Sequence, residues 1–438
     1  MLQLDRKLTL FGLTMIAVGA CIGSGIFVTP YEVVRAVPHH GFVLLIWSVG
    51  GLIALTGALT FAELGGMFPK AGGVYVFLRE AYGELAGFLY GWAILLVINT
   101  GALAALGIAL AEYLSYFYPL DYQGRITVAV VAITGLTGLN LIGVNTSQWF
   151  ANVFTGLKLL AIVGIIVAGL VFFDPSKVQL HFNLAEGTPE NLGSALLLAL
   201  IGVLWSFGGW HHASYLAGEA VEPQRTVPRA MVFGALIVTV TYVLANLAYM
   251  LLLPLDAIAN TTKVAGEAVA QVISFGGKLM AIAIAISIFG TIGIYTMSAP
   301  RIYFAMAKDR IFFQGLAFVH PRFHTPSNAM LLQGGWAILL LLFWGTFSEL
   351  ITYVTFMDIA FMALAGMSVF VFRRKRPGAE RPYRTWGYPV VPAVFVFISS
   401  AFVANTLVQR PRQAVAGLIF VLLGIAAFFL FRYANKAD

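Results

Sequence analysis

The sequence predicts an all-α polytopic membrane protein, and three observations lead to that prediction. Of the 438 residues, 60% are hydrophobic and only 10% are charged, and the mean hydropathy is +0.88. Soluble globular domains contain about 25% charged residues, so this composition excludes an ordinary soluble globule. Apolar segments recur along the whole chain, and two of them are interrupted by glycines at mid-depth.

Twelve apolar segments have the length of a membrane helix. A hydrocarbon core of about 30 Å requires about 20 residues per helix. The predicted spans lie near residues 10–34, 42–65, 86–112, 126–143, 150–172, 194–217, 231–253, 276–298, 328–345, 351–372, 388–408 and 413–432. The connections between them are too short for a soluble domain, so residues 1–438 are expected to form one membrane domain.

The Lys and Arg residues determine the predicted orientation. With the amino terminus inside, 18 of the 26 lie on the inner side, 7 lie on the outer side, and Lys158 lies within a span. Cytoplasmic loops carry the excess of basic residues, so both termini are expected in the cytoplasm. The net charge of +7 is spread over these short loops. It therefore indicates topology and gives no reason to expect nucleic acid as a partner.

In each interrupted segment, glycines are expected to break the helix. The first contains Gly23-Ser24-Gly25 and the second contains Gly208-Gly209. An unpaired backbone group inside a membrane costs several kcal/mol, so a break persists where a cavity or a ligand satisfies the freed groups. Small residues in membrane helices also mediate close helix packing, which is the alternative explanation. Two breaks at corresponding positions favour a binding site.

The positions of the breaks indicate an internal repeat. They fall in the first and sixth spans, which correspond if spans 1–5, about 10–172, and spans 6–10, about 194–372, are inverted repeats. Spans 11 and 12, about 388–432, would then be appended. Discontinuous helices at matching positions in two halves indicate the substrate site of a secondary transporter.

Four motifs carry a resemblance to a known family. They are Gly23-Ser-Gly-Ile-Phe27, Pro69-Lys-Ala-Gly-Gly-Val-Tyr75, Phe207-Gly-Gly-Trp210 and Arg381-Pro-Tyr-Arg-Thr-Trp-Gly-Tyr-Pro389. In this order and spacing, the chain resembles the amino acid–polyamine–organocation superfamily over residues 8–430. Within the superfamily it is most similar to bacterial members of the L-amino acid transporter family. The resemblance implies a LeuT-type fold of five plus five spans with two further helices.

An amino acid zwitterion needs partial charges of both signs, which the ends of broken helices supply. The N–H groups freed at the first break and the Ser24 hydroxyl are expected to bind the substrate carboxylate. Carbonyls at both breaks are expected to accept hydrogen bonds from the ammonium. The resemblance also places Trp205 at the aromatic gate of the superfamily. The candidate substrate-binding residues are Cys21, Ile22, Gly23, Ser24, Gly25, Trp205, Ser206, Phe207 and Gly208.

Lys158 lies among apolar residues of the fifth span, which tolerates a charge that faces the bundle interior and finds partners. The resemblance implies that this lysine replaces the sodium ion of related LeuT-type carriers. Its ammonium is expected to bridge a carbonyl at Gly19 or Ala20 and a hydroxyl of the eighth span, either Ser287 or Thr291. Snorkelling of the side chain to the cytoplasmic interface is the alternative.

The substrate class follows from what the breaks lack. Neither break contains an acidic residue or an arginine, which favours a neutral amino acid. Gly290, Gly293 and Ile294 of the eighth span are the candidates for the pocket that takes the substrate side chain.

Other polar residues have less specific expectations. Asp358 in the tenth span could belong to an outer gate, a proton path or a structural hydrogen bond. His211 and His212 are expected to be hydrogen-bonded structural residues, with a pH-sensitive role as the alternative. Glu63 is expected to reach water at the end of its span, and Glu219 to join an ion-pair cluster with arginines of its own loop.

The sequence offers little support for other classes of membrane protein. It contains no His-Glu-x-x-His motif and no acidic pair within a span, so we expect neither an enzyme nor a metal site or cofactor. A channel would need a continuous polar pathway. Cys21 is the only cysteine, and eukaryotic family members join an ancillary glycoprotein through a cysteine between spans 3 and 4. No disulfide-linked subunit is therefore expected.

These expectations combine into one function. We expect a sodium-independent carrier of neutral L-amino acids that works by alternating access in the inner (plasma) membrane. Its partners would be the amino acid substrate and the lipid bilayer. Exchange of one amino acid for another and proton-coupled symport are both compatible with the sequence.

Overall fold

In a computed structural model, the chain is described at residues 4–176, 178–180, 182–183, 191–343, 347–409 and 411–437. These residues form helices and contain no β-strand beyond an isolated bridge between Leu8 and Ala220. The α-helices are α1 Leu10–Cys21, α2 Gly25–Ala36, α3 His40–Met67, α4 Val74–Tyr82, α5 Glu84–Ala93, α6 Asn99–Leu114, α7 Tyr122–Leu141, α8 Val144–Val171, α9 Leu192–Ser206, α10 His212–Tyr215, α11 Pro223–Leu252, α12 Leu255–Ala259, α13 Val264–Ala270, α14 Gly276–Ser298, α15 Pro300–Lys308, α16 Ser327–Phe343, α17 Phe347–Lys375, α18 Val390–Gln409 and α19 Pro411–Ala437.

The helices confirm a polytopic membrane protein. Within the described residues, eight helical segments are long and apolar enough to cross a membrane, or nine if the bent pair α1 and α2 counts as one span. Three shorter apolar helices, Leu192–Ser206, Ser327–Phe343 and Gly417–Tyr433, occupy the remaining predicted segments. The count of twelve spans therefore stays a prediction. The predicted end of the ninth span at 345, and Lys177 and Arg410 of the orientation count, lie outside the described residues.

The centre of the bundle is formed by long helices packed on one another. Helix α3 packs along α11, α1 lies against α11 and α8, and α14 lies between α6 and α8. Large aromatic side chains fill this core, including the fully buried Trp47 and Tyr242, whose rings meet edge to face at 5.7 Å. Two N-caps are set by short polar side chains: Thr9 accepts from Gly12 N, and Asp121 accepts from Gly124 N. Caps of this kind satisfy N–H groups that the helix itself leaves unpaired.

The third span changes its winding at mid-depth. Residues Ile94–Ile98 form a π-helical turn between α5 and α6, and the Thr100 hydroxyl donates to Leu95 O at 2.7 Å. A π-helical turn inserts one residue into the helix and alters which side chains face a given direction. Ile94, Ile98 and Asn99 consequently line the central cavity described below.

Glu63 is buried, so the expectation that it reaches water is wrong. Its carboxylate accepts from Arg373 Nε at 2.8 Å, Arg373 Nη2 at 2.8 Å, Arg381 Nε at 3.1 Å and Thr385 N at 2.7 Å. The residue is 1% exposed. One side chain of α3 thereby holds the end of α17 and the segment that precedes α18.

Glu219 also departs from its expected place. It pairs with Arg301 of α15, with Arg301 Nε to Oε2 at 2.7 Å and Nη2 to Oε1 at 2.8 Å, and both side chains are fully buried. The loop arginines are not its partners because Glu219 points into the bundle. Its backbone carbonyl accepts from Lys7 N and Leu8 N, which fastens the segment before α1 to the end of the sixth span.

Candidate functional site

The first break separates α1 from α2. The two helices are bent by 42° relative to each other, with residues 22–24 between them. The last carbonyls of a helix need partners from elsewhere. The Tyr242 hydroxyl donates to Cys21 O at 3.0 Å, and the Ser287 hydroxyl lies 3.1 Å from both Ile22 O and Gly23 O. Hydroxyls from α11 and α14 therefore stabilise the interrupted backbone on its protein-facing side.

The start of α2 presents N–H groups instead of carbonyls. Ser24 is the N-cap, yet its side chain makes no capping hydrogen bond, and it is 3% exposed. Its carbonyl accepts from Phe27 N at 3.1 Å and Val28 N at 3.2 Å, so the helix begins at Gly25. The first N–H groups of a helix have no partner within it and carry partial positive charge. This end of the break suits an anion.

The second break follows α9. Gly208 N donates to Trp205 O at 3.0 Å, which closes the helix with a tight turn. Gly209 has φ +120°, and a Cβ there would lie 2.6 Å from the Ala20 carbonyl carbon. L-residues with a side chain rarely adopt this conformation, and backbone atoms cannot move aside cheaply. A glycine is thus required where the second break touches the first.

Side chains also tie the two breaks together. Ser206 Oγ donates to Gly202 O at 2.9 Å and lies 3.1 Å from Thr29 Oγ1. The Cys21 thiol lies 3.7 Å from Phe207 O. The Ser206 hydroxyl is therefore used within the protein, while the backbone around it remains at the cavity wall.

A cavity of about 110 Å³ lies where the two breaks meet. Eight of the nine candidate substrate-binding residues line it: Cys21, Gly23, Ser24, Gly25, Trp205, Ser206, Phe207 and Gly208. Ile22 does not, because its backbone turns toward α14 and its carbonyl accepts from Ser287 and Thr291. Trp205 is half-buried, whereas Phe207 is 2% exposed and packs on Trp47.

Lys158 lies behind the first break. It is 1% exposed, so it does not snorkel to the interface. Its Nζ donates to Gly19 O at 2.7 Å and to Thr291 Oγ1 at 2.7 Å. The partners are therefore Gly19 and Thr291. The other two candidates are not partners of Lys158, because Ala20 lines the cavity and Ser287 donates to carbonyls of the break. The positive ammonium sits at the carbonyl end of α1, where the helix dipole is negative.

The three candidates for the pocket of the substrate side chain lie on faces of α14 that do not line the cavity. A Cβ at Gly290 would lie 2.8 Å from Phe154 Cβ, and one at Gly293 would lie 2.2 Å from the Phe150 ring, so both glycines pack against α8. Ile294 is fully buried beside Gly19. Thr291 and Tyr295, one helical turn apart, line the cavity instead.

Polar residues from three other helices complete the wall. They are Asn99 of α6, Tyr295 of α14 and Asp358 of α17. Sequence reasoning missed Asn99 and Tyr295. A signal was present for Asn99, because it is an amide within an otherwise apolar segment.

The two adjacent histidines differ in their contacts. His212 Nδ1 lies 2.7 Å from Ser298 Oγ, and its ring stacks on Tyr295 with centroids 4.3 Å apart. This matches the expected structural hydrogen bond. Among the described residues, neither His211 Nδ1 nor Asp358 Oδ1 has a hydrogen-bond partner, and both atoms are buried. Both residues line the cavity.

The arrangement offers backbone groups of both signs and few charged side chains. Within the described residues, no three His, Cys, Asp or Glu side chains are grouped so that they could hold a metal ion. The cavity can bind a ligand reversibly through hydrogen bonds and partial charges.

One family profile and several known proteins are similar to the chain over nearly its whole length. The profile of the family described as amino acid permease matches residues 8–429. The serine/threonine exchanger SteT of Bacillus subtilis is 31% identical over 425 residues, which cover 96% of this chain and 95% of that protein. The mouse b(0,+)-type amino acid transporter 1 is 29% identical, covering 98% and 89%. The human cystine/glutamate transporter is 28% identical, covering 99% and 87%.

Proposed function

Because the chain belongs to the amino acid permease family of the amino acid–polyamine–organocation superfamily, we propose that it is a sodium-independent exchanger of neutral L-amino acids. One observation carries the proposal. The cavity lies where two broken helices meet, so the amino end of one half-helix and the carboxyl ends of two others share one wall. A zwitterion needs this combination of groups. The similar proteins are transporters, which points to a carrier and not to an enzyme.

The α-carboxylate is proposed to bind at the start of α2. The N–H groups of Ser24 and Gly25 and the Ser24 hydroxyl supply donors there, whereas Gly23 N already donates to Cys21 O at 2.9 Å. The helix dipole adds positive potential. The ammonium would bind the carbonyl ends of α1 and α9, near Cys21 and Trp205–Gly208. Neither set carries a full charge, so these helix ends add no unpaired ion to the buried wall.

Trp205 is proposed to act as the gate. Its ring lines the cavity and is only half-buried, while its neighbours Phe207 and Trp210 are fixed in aromatic packing. A ring that is free to move at the cavity wall can close over the ligand and exclude water.

Sodium independence is proposed from the place of Lys158. Its ammonium joins a carbonyl oxygen of α1 to a hydroxyl oxygen of α14, each at 2.7 Å. Carbonyl and hydroxyl oxygens are also the ligands that a bound alkali cation would use at this point. A lysine ammonium already there supports the break without an ion.

The proposed architecture follows the same logic. Residues 1–438 would form one transport domain of twelve spans, in a LeuT-type five-plus-five repeat that places the two breaks at matching positions. Both termini would lie in the cytoplasm, and the protein would lie in the inner membrane. Alternating access would then expose one cavity to each side in turn. A disulfide-linked subunit is not expected, since the single thiol at Cys21 is buried at the cavity.

Counterflow in proteoliposomes tests the proposal. Purified protein is reconstituted with unlabelled amino acid inside, and uptake of radiolabelled amino acid is measured with sodium replaced by choline, with and without a pH gradient. We expect uptake that saturates, requires internal substrate and ignores both sodium and the gradient. Protein-free liposomes give the background.

Two outcomes would contradict exchange. Uptake into vesicles that contain no amino acid, driven by an inward proton gradient, would establish proton symport instead. Flux that does not saturate, measured together with ionic current, would indicate a channel. Both readouts come from the same vesicles.

A further inference from the structure

Two buried polar atoms at the cavity wall lack partners. Asp358 Oδ1 and His211 Nδ1 are inaccessible to solvent, and neither makes a hydrogen bond within the part of the chain that the structure describes. Leaving a buried donor or acceptor unsatisfied costs about 1–3 kcal/mol, and the large majority of such groups in folded proteins are paired. His211 is 4% exposed, and both residues line the same cavity. A ligand in the cavity is therefore the natural partner for both.

The neighbouring side chains are already engaged. The hydroxyls of Tyr90 and Tyr215 are hydrogen-bonded to each other. His212 is held by Ser298 and stacked on Tyr295. The His211 ring meets the Tyr215 ring edge to face at 5.5 Å. These contacts fix the walls around His211 and leave its Nδ1 unsatisfied.

Asp358 approaches the same group of rings from another helix. Asp358 lies one helical turn before Phe361 on α17. The Phe361 ring lies 5.5 Å from that of Tyr90. Because Tyr90 is hydrogen-bonded to Tyr215, whose ring meets that of His211, Asp358 and His211 belong to one polar part of the cavity.

This polar part is where a substrate side chain would enter. If the α-carboxylate and ammonium occupy the broken helix ends, the side chain must extend toward the rest of the wall, which includes Asn99, Tyr295 and Asp358. We propose that Asp358 and His211 form a subsite that selects neutral amino acids with a hydroxyl on the side chain. The proposal rests on the function proposed above.

The chemistry of the two atoms explains the selection. A carboxylate oxygen accepts hydrogen bonds, and an imidazole nitrogen accepts or donates according to its tautomer. A hydroxyl both donates and accepts, so it can satisfy the two together. An aliphatic side chain of the same shape leaves both unsatisfied. Sites built to hydrogen-bond a substrate group reject the analogue that lacks it for this reason.

The matched pair threonine and valine tests the subsite, because the two side chains have nearly the same shape. Each is used to inhibit counterflow of labelled substrate in proteoliposomes containing the full chain. We expect threonine to inhibit at a concentration about tenfold or more below that of valine. In Asp358→Leu the ratio should fall to about 1, with valine still able to inhibit.

A control variant separates this effect from the removal of any buried polar atom. Thr137 Oγ1 is also buried without a partner, but Thr137 lies outside the cavity wall, beside Gly334. Thr137→Val should leave the threonine-to-valine ratio unchanged. The His211→Phe variant should lower it.

Three results would overturn the subsite. They are equal inhibition by threonine and valine in the wild-type protein, an unchanged ratio in Asp358→Leu, and a ratio that falls equally in Thr137→Val. If Asp358→Leu does not transport, thermal stabilisation of the purified variant by each amino acid gives the same ratio. Failure of the proposed exchange is distinct, since it would abolish counterflow by every amino acid in the wild-type protein.

Discussion

Replacing Glu63 by glutamine removes one negative charge from a junction of three helical segments. The carboxylate of α3 receives four hydrogen bonds from Arg373, Arg381 and Thr385. A glutamine has the same shape, but its amide NH2 is a donor where a carboxylate oxygen accepted. Whichever way the amide turns, two of the four donors lose their acceptor.

The size of the effect depends on what the arginines can do next. The Arg373 side chain is 26% exposed, so it can turn toward water. The Arg381 side chain is 5% exposed, so in the orientation where the amide NH2 faces it, it remains buried with only backbone carbonyls as partners. Removing one partner of a buried ion pair costs about 3–5 kcal/mol. We expect Glu63→Gln to lower stability by about 3 kcal/mol, which is about a hundredfold in the ratio of folded to unfolded protein.

Denaturant unfolding of the detergent-purified protein, followed by tryptophan fluorescence, measures this loss. Glu112→Gln is the matched control, because the Glu112 side chain is 49% exposed and its nearest cation, Arg125 Nη1, is 4.0 Å away. Exposed pairs contribute about 0–1 kcal/mol, so the control should change little. Equal destabilisation by the two substitutions would refute the conclusion that Glu63 is a buried junction.

Three further predictions concern the cavity. Lys158→Met should abolish exchange, because Gly19 and Thr291 lose the ammonium that joins them. The protein should remain folded and monodisperse, because methionine keeps the bulk of the side chain. Transport at the wild-type rate would contradict this prediction. Gly209→Ala should reduce transport more than tenfold and lower the melting temperature, because its Cβ would lie 2.6 Å from a backbone atom. Gly164→Ala is the control, since a Cβ at Gly164 meets nothing within 4 Å. Equal effects of the two substitutions in counterflow and thermal scanning would contradict the prediction. Maleimide labelling of Cys21, the only thiol, should be slowed by saturating amino acid substrate, and mass spectrometry that shows no protection would place Cys21 outside the path.

The broken helices could be located from the sequence because their signal is local. A run of apolar residues of membrane length is visible in the composition, and an interruption of Gly-Ser-Gly or Gly-Gly inside it is costly in a bilayer. The structure places the ends of α1 and α9 at these positions. A charge in a span must either find partners inside the bundle or reach the interface, and for Lys158 the family resemblance, more than the local pattern, favoured the interior.

The identity of the partners across the bundle could not be predicted in this way. Lys158 donates a hydrogen bond to Thr291 and not to Ser287. Asp358 lines the cavity, whereas the preference for a neutral amino acid was argued only from the residues of the two breaks. Glu219 meets Arg301 and not the arginines of its own loop. Each of these pairs joins residues more than 80 positions apart in the chain, so local patterns contain no information about them.

By itself, the sequence determined the membrane class and the two breaks, because hydrophobic length and backbone continuity are local requirements. Only the tertiary structure decided which face of each helix meets the cavity. Gly290 and Thr291 are adjacent, yet the first packs on α8 and the second lines the cavity. Successive residues on a helix point about 100° apart, and the rotation of α14 about its axis is fixed by the helices that surround it.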